Sequence, residues 1–458
     1  MGRWSLRGLA ASAACLALLL TAGCTGDDPG GAAPPPSDAG PGPIVVASGR
    51  DVTGKNGIRQ QLIDAWNRRQ GDTGYRARLV ELPGNADEQR SQLLGALQSG
   101  SATYDVVNLD VTWVPEFAAA GLIRPLPKEL LDADVIPSVA ATARWDGQVY
   151  AAPFNSDVGL LYYRRDYLEQ AGVQDPVLDP GMDWAGLEDL IETVNERRPE
   201  GYEKGWTTQL AAYEGRTVNA MEAFASAGVH LTDARGRYTA TVGELTRGVA
   251  ELRRRTAESY TLRPEAESSD EDTSLDDFAD GRTAFLRHWP YAYGTLHQTF
   301  DRRQLGVVPL PGKAVLGGQN LAVTGTSERA AKAADLIRFL TGRESERCLL
   351  DAGFAATRAS AYEDDGVRCT VAATTPTASP TGESADRMPR DKAGRPLYAE
   401  PTLYKALKDA VHRPRTPLYG AFTQTFTARL GALFGDRPPD DTELAKSLDE
   451  GLRRALPG

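Results

Sequence analysis

The chain has 458 residues, of which 41% are hydrophobic and 25% are charged, a composition typical of globular proteins with two or three domains. Its formal net charge is -11, and the sequence has no run rich in lysine or arginine. Nothing therefore indicates a nucleic acid as partner.

The N-terminus has the layout of a secretory signal. Two arginines precede an uncharged apolar run at 8–22, which is too short to indicate a membrane span. The run leads into LTAGC at 20–24, which resembles a bacterial lipobox with threonine where leucine is usual. We predict that residues 1–23 are removed and that Cys24 carries a lipid; a plain signal peptide with an incidental cysteine is the alternative.

Residues 24–43 follow as a predicted tether. After Cys24, glycine, proline, alanine and aspartate dominate this stretch, and such a composition cannot build a core. A lipid-bearing cysteine, a tether and then a folded domain is the layout expected of a receptor attached to the cell surface.

Two further cysteines belong to the folded part. Cys15 would leave with the signal and Cys24 would carry the lipid, so Cys348 and Cys369 remain in an oxidising compartment. We predict a disulfide between them; two free thiols are the alternative.

The folded part opens with alternating strands and helices. The hydrophobic patterns predict strands at 44–47, 76–82 and 105–109 and helices at 58–69 and 87–98. This order predicts an α/β domain with a largely parallel sheet. Because ligands sit beyond the carboxyl ends of such strands, the candidate loops are Gly49–Asp51, Leu82–Asn85 and Asp110–Trp113.

Later segments give weaker patterns. Two strand-like runs at 148–165 flank Pro153–Ser156, which we predict to lie where the chain crosses between lobes. Half of the residues at 265–280 are acidic, but the calcium-loop pattern lacks its glycine, so we predict a solvated loop. Residues 328–341 predict a helix, and residues 370–394 predict a surface insertion.

Six motifs in order carry a family resemblance. They are YDVVNLDVTWVPEFAAAGLIRPL at 104–126, YAAPFNSDVGLLYYRRDYL at 150–168, FADGRTAFLRHWPY at 278–291, GVVPLPG at 306–312, GGQNLAV at 317–323 and RPRTPLY at 413–419. From about residue 44 to its end, the chain resembles the family 1 extracellular solute-binding proteins of bacterial sugar importers, the group that includes maltose- and trehalose-binding proteins.

The resemblance implies a periplasmic-binding-protein-like α/β fold, with two lobes joined by a hinge and a ligand cleft between them. It places lobe one at 44–153 and 304–352, and lobe two at 158–300 and 353–458. It also implies that the protein captures a mono-, di- or short oligosaccharide and delivers it to the permease of an ABC transporter.

Sugars present hydroxyls that carboxylates and amides can bind, and C–H faces on which aromatic rings stack. The strand ends and motifs that offer such groups give the predicted ligand-binding residues Gly49, Arg50, Asp51, Asp110, Trp113, Asn155, Tyr213, Glu214, Trp289, Tyr291, Gly318, Gln319, Asn320 and Arg358. Arg358 is included because it matches a family position where arginine can reach a sugar hydroxyl. Structural roles are the alternatives, such as core packing for Trp113 and Tyr291 or a hinge hydrogen bond for Asn155.

Gln319 departs from the family pattern. Relatives often have an aromatic residue between the glycine pair and the asparagine of this turn, whereas this chain has glutamine. Loss of a stacking surface and gain of a hydrogen-bonding group favour a small polar sugar over a long maltodextrin.

Other classes of function have weaker support. The chain has no G-x-S-x-G, H-E-x-x-H or P-loop motif, and its four histidines show no ligand spacing. We therefore expect a binding protein without catalytic residues, metal or cofactor; an envelope glycoside hydrolase is a remote alternative. The same fold could bind a non-sugar solute or sense a ligand for a signalling partner. We expect a monomer outside the cytoplasm, held at the outer face of the membrane by its lipid.

Removal of the lipobox cysteine should release the protein. We expect Cys24→Ala, expressed in a host with a single membrane, to move from the membrane fraction to the medium, because no thiol remains for the lipid. The matched control Cys15→Ala should stay membrane-bound. Equal membrane partitioning of Cys24→Ala and wild type would contradict the lipobox interpretation.

Overall fold

The computed structural model describes residues 42–52, 57–71, 74–262, 265–371 and 387–456. The predicted signal peptide, Cys24 and most of the tether lie outside the described residues, as do 372–386 of the predicted insertion. In the part of the chain that the structure describes, no helix is long and apolar enough to cross a membrane.

The described strands are β1 (Ile44–Gly49), β2 (Ala77–Leu82), β3 (Val106–Asp110), β4 (Arg144–Trp145), β5 (Gln148–Val149), β6 (Ala152–Val158), β7 (Leu160–Arg164), β8 (Lys204–Thr207), β9 (Thr283–His288), β10 (Leu305–Pro309) and β11 (Leu316–Val323). The described α-helices are α1 (Ile58–Gln70), α2 (Ala86–Gln98), α3 (Val114–Ala119), α4 (Pro137–Thr142), α5 (Arg165–Gln170), α6 (Trp184–Arg197), α7 (Glu214–Ser226), α8 (Val242–Arg255), α9 (Glu265–Ser268), α10 (Glu271–Ala279), α11 (Ala292–Leu296), α12 (Ala330–Leu340), α13 (Arg343–Asp351), α14 (Ala359–Glu363), α15 (Lys405–Asp409), α16 (Tyr419–Leu430) and α17 (Asp441–Ala455).

The predicted opening alternation is confirmed by β1, α1, β2, α2 and β3. Local chemistry explains one of the boundaries. At the start of α2 the Asn85 side chain accepts from the Glu88 N–H at 3.1 Å, and the Glu88 carboxylate accepts from the Asn85 N–H at 3.0 Å. This reciprocal cap satisfies two donors that the helix itself leaves unpaired, so α2 begins at Ala86.

Nine of the eleven described strands form two large sheets, β4 pairs only with β5, and the α/β class is confirmed. The first sheet has the order β2-β1-β3-β11-β6, and the second has the order β10-β7-β9-β8. In the first, β1 is parallel to β2 and β3, but β11 is antiparallel to both β3 and β6. Four of the five strands of the first sheet therefore run in the same direction, as the predicted largely parallel sheet requires, and β11 runs against them.

The chain passes from the first sheet to the second at Gly159. Strand β6 ends at Val158 and β7 begins at Leu160, so a single residue separates the two sheets. A Cβ atom at Gly159 would collide with the carboxylate of Glu222, which lies directly beneath the crossing. The crossing was predicted at Pro153–Ser156, which instead lie within β6 and pair with β11.

The sheets also correct the predicted lobe boundaries. Strand β10 was assigned to the first lobe with the range 304–352, yet it pairs with β7 in the second sheet. The next change of sheet therefore falls between β10 and β11. Elsewhere, the division into 44–153 with 304–352 and 158–300 with 353–458 stays a prediction.

The acidic segment at 265–280 was predicted as a solvated loop, and this was wrong. It contains α9 and α10, and the Asp270 side chain caps α10 by accepting from the Thr273 N–H at 3.0 Å. Leu275 and Phe278 are buried beneath α10. The many carboxylates hid these apolar positions, and acidic residues in a first turn are favourable because the helix dipole is positive there.

A disulfide joins Cys348, in α13, to Cys369. The Cys348 side chain is buried in the same apolar cluster as Ile337 and Phe354. The bond therefore ties the segment after α14 to the core beside the first sheet.

Loss of this disulfide should lower stability. We expect the double substitution Cys348→Ser with Cys369→Ser to reduce the free energy of unfolding by roughly 3 kcal/mol, because closing a loop of about twenty residues restricts the unfolded chain. Guanidinium denaturation with and without a reducing agent measures this effect. Reduced wild type should match the double variant, which should not respond to reductant; an unchanged midpoint in both cases would contradict the prediction.

Candidate functional site

A cleft of about 580 Å³ lies between segments that belong to the two sheets. From the first sheet, it is lined by the carboxyl ends of β1 and β3 and by parts of β6 and β11. The start of α7, the start of α10 and the segment after β9 line it from the other side. A volume of this size suits a small solute.

Ten of the fourteen predicted ligand-binding residues line this cleft. They are Gly49, Arg50, Asp110, Asn155, Tyr213, Glu214, Trp289, Tyr291, Gly318 and Gln319. The fold thus brings together residues from strand ends and turns that are far apart in the chain. Their roles as ligand contacts stay predictions.

Four predicted residues lie elsewhere. Trp113 is buried and packs against Phe117, with ring centroids 6.4 Å apart. Asn320 is fully buried and donates to the Thr142 hydroxyl at 3.0 Å. Asn320 points away from the cleft because successive residues of a strand point to opposite faces, and Trp113, at the start of α3, packs into the core.

Arg358 and Asp51 also lie off the cleft. The Arg358 guanidinium donates to the Thr341 carbonyl at 2.6 Å and to Asp132 at 2.8 Å, so it joins loops instead of reaching a ligand. The Asp51 carboxylate accepts from the Arg59 N–H at 2.8 Å and borders an adjoining cavity.

Sequence reasoning missed several lining residues, namely Arg59, Glu88, Gln89, Asp157, Asp270, Glu271, Asp272, Phe354 and Arg413. Arg59 was hidden in an amphipathic helix, and the acidic trio was assigned to a solvated loop. Arg413 lies in the RPRTPLY motif, whose only signal in the sequence is its part in the family resemblance.

Arg59 forms the floor of the cleft. Its guanidinium donates to the Ser48 hydroxyl and the Gly49 carbonyl at 3.0 Å, to Gln319 Oε1 at 2.9 Å and to Asn155 Oδ1 at 3.2 Å. Burial lowers the pKa of Arg59, and the charge of Asp51 opposes that shift. Because Arg59 takes the amide oxygens of Asn155 and Gln319, their NH₂ groups are the ones left to bind a ligand.

A buried ion network closes one end of the cleft. The Arg413 guanidinium donates to Asp110 at 3.1 Å and to Glu214, and its side chain is 1% exposed. Glu214 also accepts from the hydroxyls of Tyr419 and Thr423. Burial raises the pKa of Glu214, and the nearby Arg413 opposes this shift. Asp110, expected to accept sugar hydroxyls, is thus already held by Arg413.

Trp289 forms the aromatic wall. The Arg287 guanidinium lies 3.9 Å from the centroid of its ring, and the Trp289 N–H donates to Glu271 at 3.2 Å. Glu271 also accepts from the Tyr213 hydroxyl at 2.7 Å. These contacts fix the orientation of the indole. A ring that has a guanidinium over one face and a bonded N–H is suited to stacking on a ligand with its other face.

Glycines make room beside the indole. A Cβ atom at Gly317 would stand 3.1 Å from the Trp289 ring. Gly318 has φ +101°, and a side chain there would collide with the backbone of β6 at Asn155. The predicted close approach of backbone to the site therefore depends on both glycines.

The chain is similar to known solute-binding proteins. The model of the family described as bacterial extracellular solute-binding protein matches residues 61–375. A Deinococcus radiodurans protein named as a probable ABC transporter-binding protein is 30% identical over 320 residues, which are 66% of this chain and 73% of that protein.

Solved structures share the fold. The maltose-bound MalE3 of T. maritima has a TM-score of 0.74 at 23% identity and covers 90% of this chain and 99% of its own. A solute-binding protein of Thermotoga lettingae bound with α-D-tagatose has a TM-score of 0.72 at 19% identity and covers 91% of this chain and 100% of its own.

Removal of Arg413 should destabilise the protein strongly. We expect Arg413→Met to lower the free energy of unfolding by about 3–5 kcal/mol, because two carboxylates in a buried network lose their counter-charge. Arg454→Met is the matched control: this arginine pairs with Glu450 on the exposed face of α17, so its loss should cost less than about 0.5 kcal/mol. Denaturant titration of both variants measures the difference, and equal small losses would contradict the assigned role.

Proposed function

Because the chain belongs to the bacterial extracellular solute-binding proteins, we propose that it captures a carbohydrate outside the cytoplasm and delivers it to an ABC transporter permease. The observation that supports this best is the Trp289 indole, held from behind by Arg287 at the side of a cleft with mostly polar groups.

The cleft offers the two kinds of contact that a sugar needs. The indole provides an apolar plane for the C–H face of a pyranose or a comparable polyol. Around it, the NH₂ groups of Asn155 and Gln319 can donate to hydroxyl oxygens, and carboxylates can accept from hydroxyl hydrogens. With about 580 Å³ available, a small sugar suits the space.

Closure of the two sides of the cleft around the ligand would precede its delivery to the permease. Arg50, just after β1, pairs with Asp272 of α10 at 3.0 Å, and these residues flank the cleft from opposite sides. Both side chains are two-thirds exposed, so this pair contributes little energy by itself. A ligand that contacts both sides favours the closed form because only that form satisfies both sets of contacts.

The relatives point in the same direction. Two of the similar solved structures hold maltose and α-D-tagatose, and the Deinococcus relative is named for an ABC transporter. We extend this to a protein held at the outer face of the membrane by the lipid on Cys24, as its N-terminal sequence predicts, and acting as a monomer.

Substitution of the indole tests the proposal. A thermal-shift screen against a panel of sugars identifies the ligand, since binding raises apparent stability. With that sugar, we expect Trp289→Ala to weaken binding at least about tenfold, near 1.4 kcal/mol, and Trp289→Phe to retain most of the affinity because a ring remains.

Calorimetry gives the affinities, and circular dichroism checks that each variant folds. A folded Trp289→Ala variant that binds within threefold of wild type would place the sugar elsewhere. A complete absence of sugar binding by wild type would contradict the carbohydrate function itself.

A further inference from the structure

The cleft has an excess of negative charge. Among its described lining residues, seven are acidic and three are arginines. Two of the arginines, Arg59 and Arg413, are buried beneath the surface of the cleft and already donate to protein groups. A cleft lined mainly by one sign of charge attracts solutes of the opposite sign.

Six of the seven carboxylates are already engaged. Glu88 accepts from the Asn85 N–H, and Asp110 accepts from Thr112 and Arg413. Glu214 accepts from Arg413, Tyr419 and Thr423. Asp270 accepts from Thr273, Glu271 accepts from Tyr213 and Trp289, and Asp272 accepts from Arg50. These bonds hold the carboxylates within the walls of the cleft.

Asp157 differs from the other six. It lies at the end of β6 and borders the cleft, yet no described group donates a hydrogen bond to its carboxyl, and its Oδ1 atom is buried. A buried acceptor without a donor is costly, so its partner is expected to come from a ligand.

The neighbour of Asp157 is the aromatic wall. Its backbone pairs with Gly317 in β11, and a Cβ atom at Gly317 would stand 3.2 Å from the Asp157 Cβ and 3.1 Å from the Trp289 ring. A ring stacked on the indole would therefore place its substituents beside this carboxyl.

The surroundings leave the charge of Asp157 only partly compensated. Burial raises the pKa of Asp157 to about 7; Arg59 and Arg287 oppose this shift, and Asp110 and Glu271 add to it. Arg287 itself is paired with Glu222 at 2.7 Å. A hydroxyl donor would supply a hydrogen bond but no positive charge, whereas an ammonium group supplies both.

We propose that the solute carries a protonated amino group and that Asp157 is its acceptor, so the ligand class is an amino-substituted sugar or polyol. The proposal rests on the carbohydrate function proposed above. Trp289 stacks on the ring, and Asp157 selects the charged substituent.

Matched sugar pairs test this selectivity. The probes are glucose, galactose and mannose, each with its 2-amino-2-deoxy and 6-amino-6-deoxy derivatives and the N-acetyl forms of those amines. Calorimetry with the purified protein at pH 7 should show at least one amine binding tenfold or more tightly than both its parent sugar and its N-acetyl form.

Asp157→Asn should abolish the preference, so that amine and parent bind within threefold of each other. Asp335→Asn is the matched control, because this carboxylate pairs with Arg338 on the exposed side of α12, away from the cleft. It should keep the full preference. Retention of the amine preference by a folded Asp157→Asn variant would overturn the assignment.

The pH dependence gives a second measurement. The titratable groups that face Asp157 are Arg59, Asp110, Tyr162, Glu271, Arg287, Tyr291 and Tyr398. Below about pH 7 the carboxyl must lose a proton before it pairs with the ammonium, so amine affinity should fall by up to tenfold per pH unit from pH 7 to 5. In Asp157→Asn this slope should be absent.

The outcomes separate the two proposals. Neutral sugars that bind as tightly as their amines in every pair would overturn the amino-group proposal and leave the carbohydrate function standing. No binding of any probe, neutral or charged, would overturn the amino-group proposal, and the carbohydrate function would fall with it only if the sugar panel also gave no ligand.

Discussion

The buried ion pair between Arg287 and Glu222 is the interaction on which the relation of the two sheets depends. The guanidinium donates to both carboxylate oxygens, at 2.7 and 3.0 Å, and the two side chains are 1% and 2% exposed. Glu222 also accepts from the Val315 N–H at 3.2 Å, and its carboxylate lies under Gly159. Gly159 and Val315 are in the two segments where the chain changes sheet, so one ion pair supports both crossings.

The same pair determines the aromatic wall of the cleft. Arg287 belongs to β9, and its guanidinium lies 3.9 Å from the centroid of the ring of Trp289, two residues later. Because a buried pair that loses one partner leaves an uncompensated charge, neither residue can be exchanged singly without a large loss of stability. The position of the indole is thus linked to the crossing, and any movement of the two sheets relative to each other would pivot close to the residues that face a ligand.

Buried arginines also hold the polar groups in the rest of the cleft. Arg413 compensates Asp110 and Glu214, and Arg59 orients Asn155 and Gln319 from beneath. Most cleft carboxylates are therefore held by protein donors, so their excess favours a cationic solute without assigning any one of them as its acceptor. The exception is Asp157, and a carboxyl without a donor among carboxylates that have donors is more informative than the cluster as a whole.

The sequence by itself determined the α/β class, the opening alternation of strands and helices, and ten residues of the cleft, because apolar periodicity and polar strand ends are local signals. Only the tertiary structure decided the antiparallel entry of β11, the transfer of β10 to the second sheet and the helix within the acidic segment. It also decided that Asn320 and Arg358 face away from the cleft, and that Arg59, Asp157 and Arg413 line it. The physical reason is that these outcomes depend on pairings between residues far apart in the chain, such as Arg413 with Asp110, which no local pattern of residue types specifies.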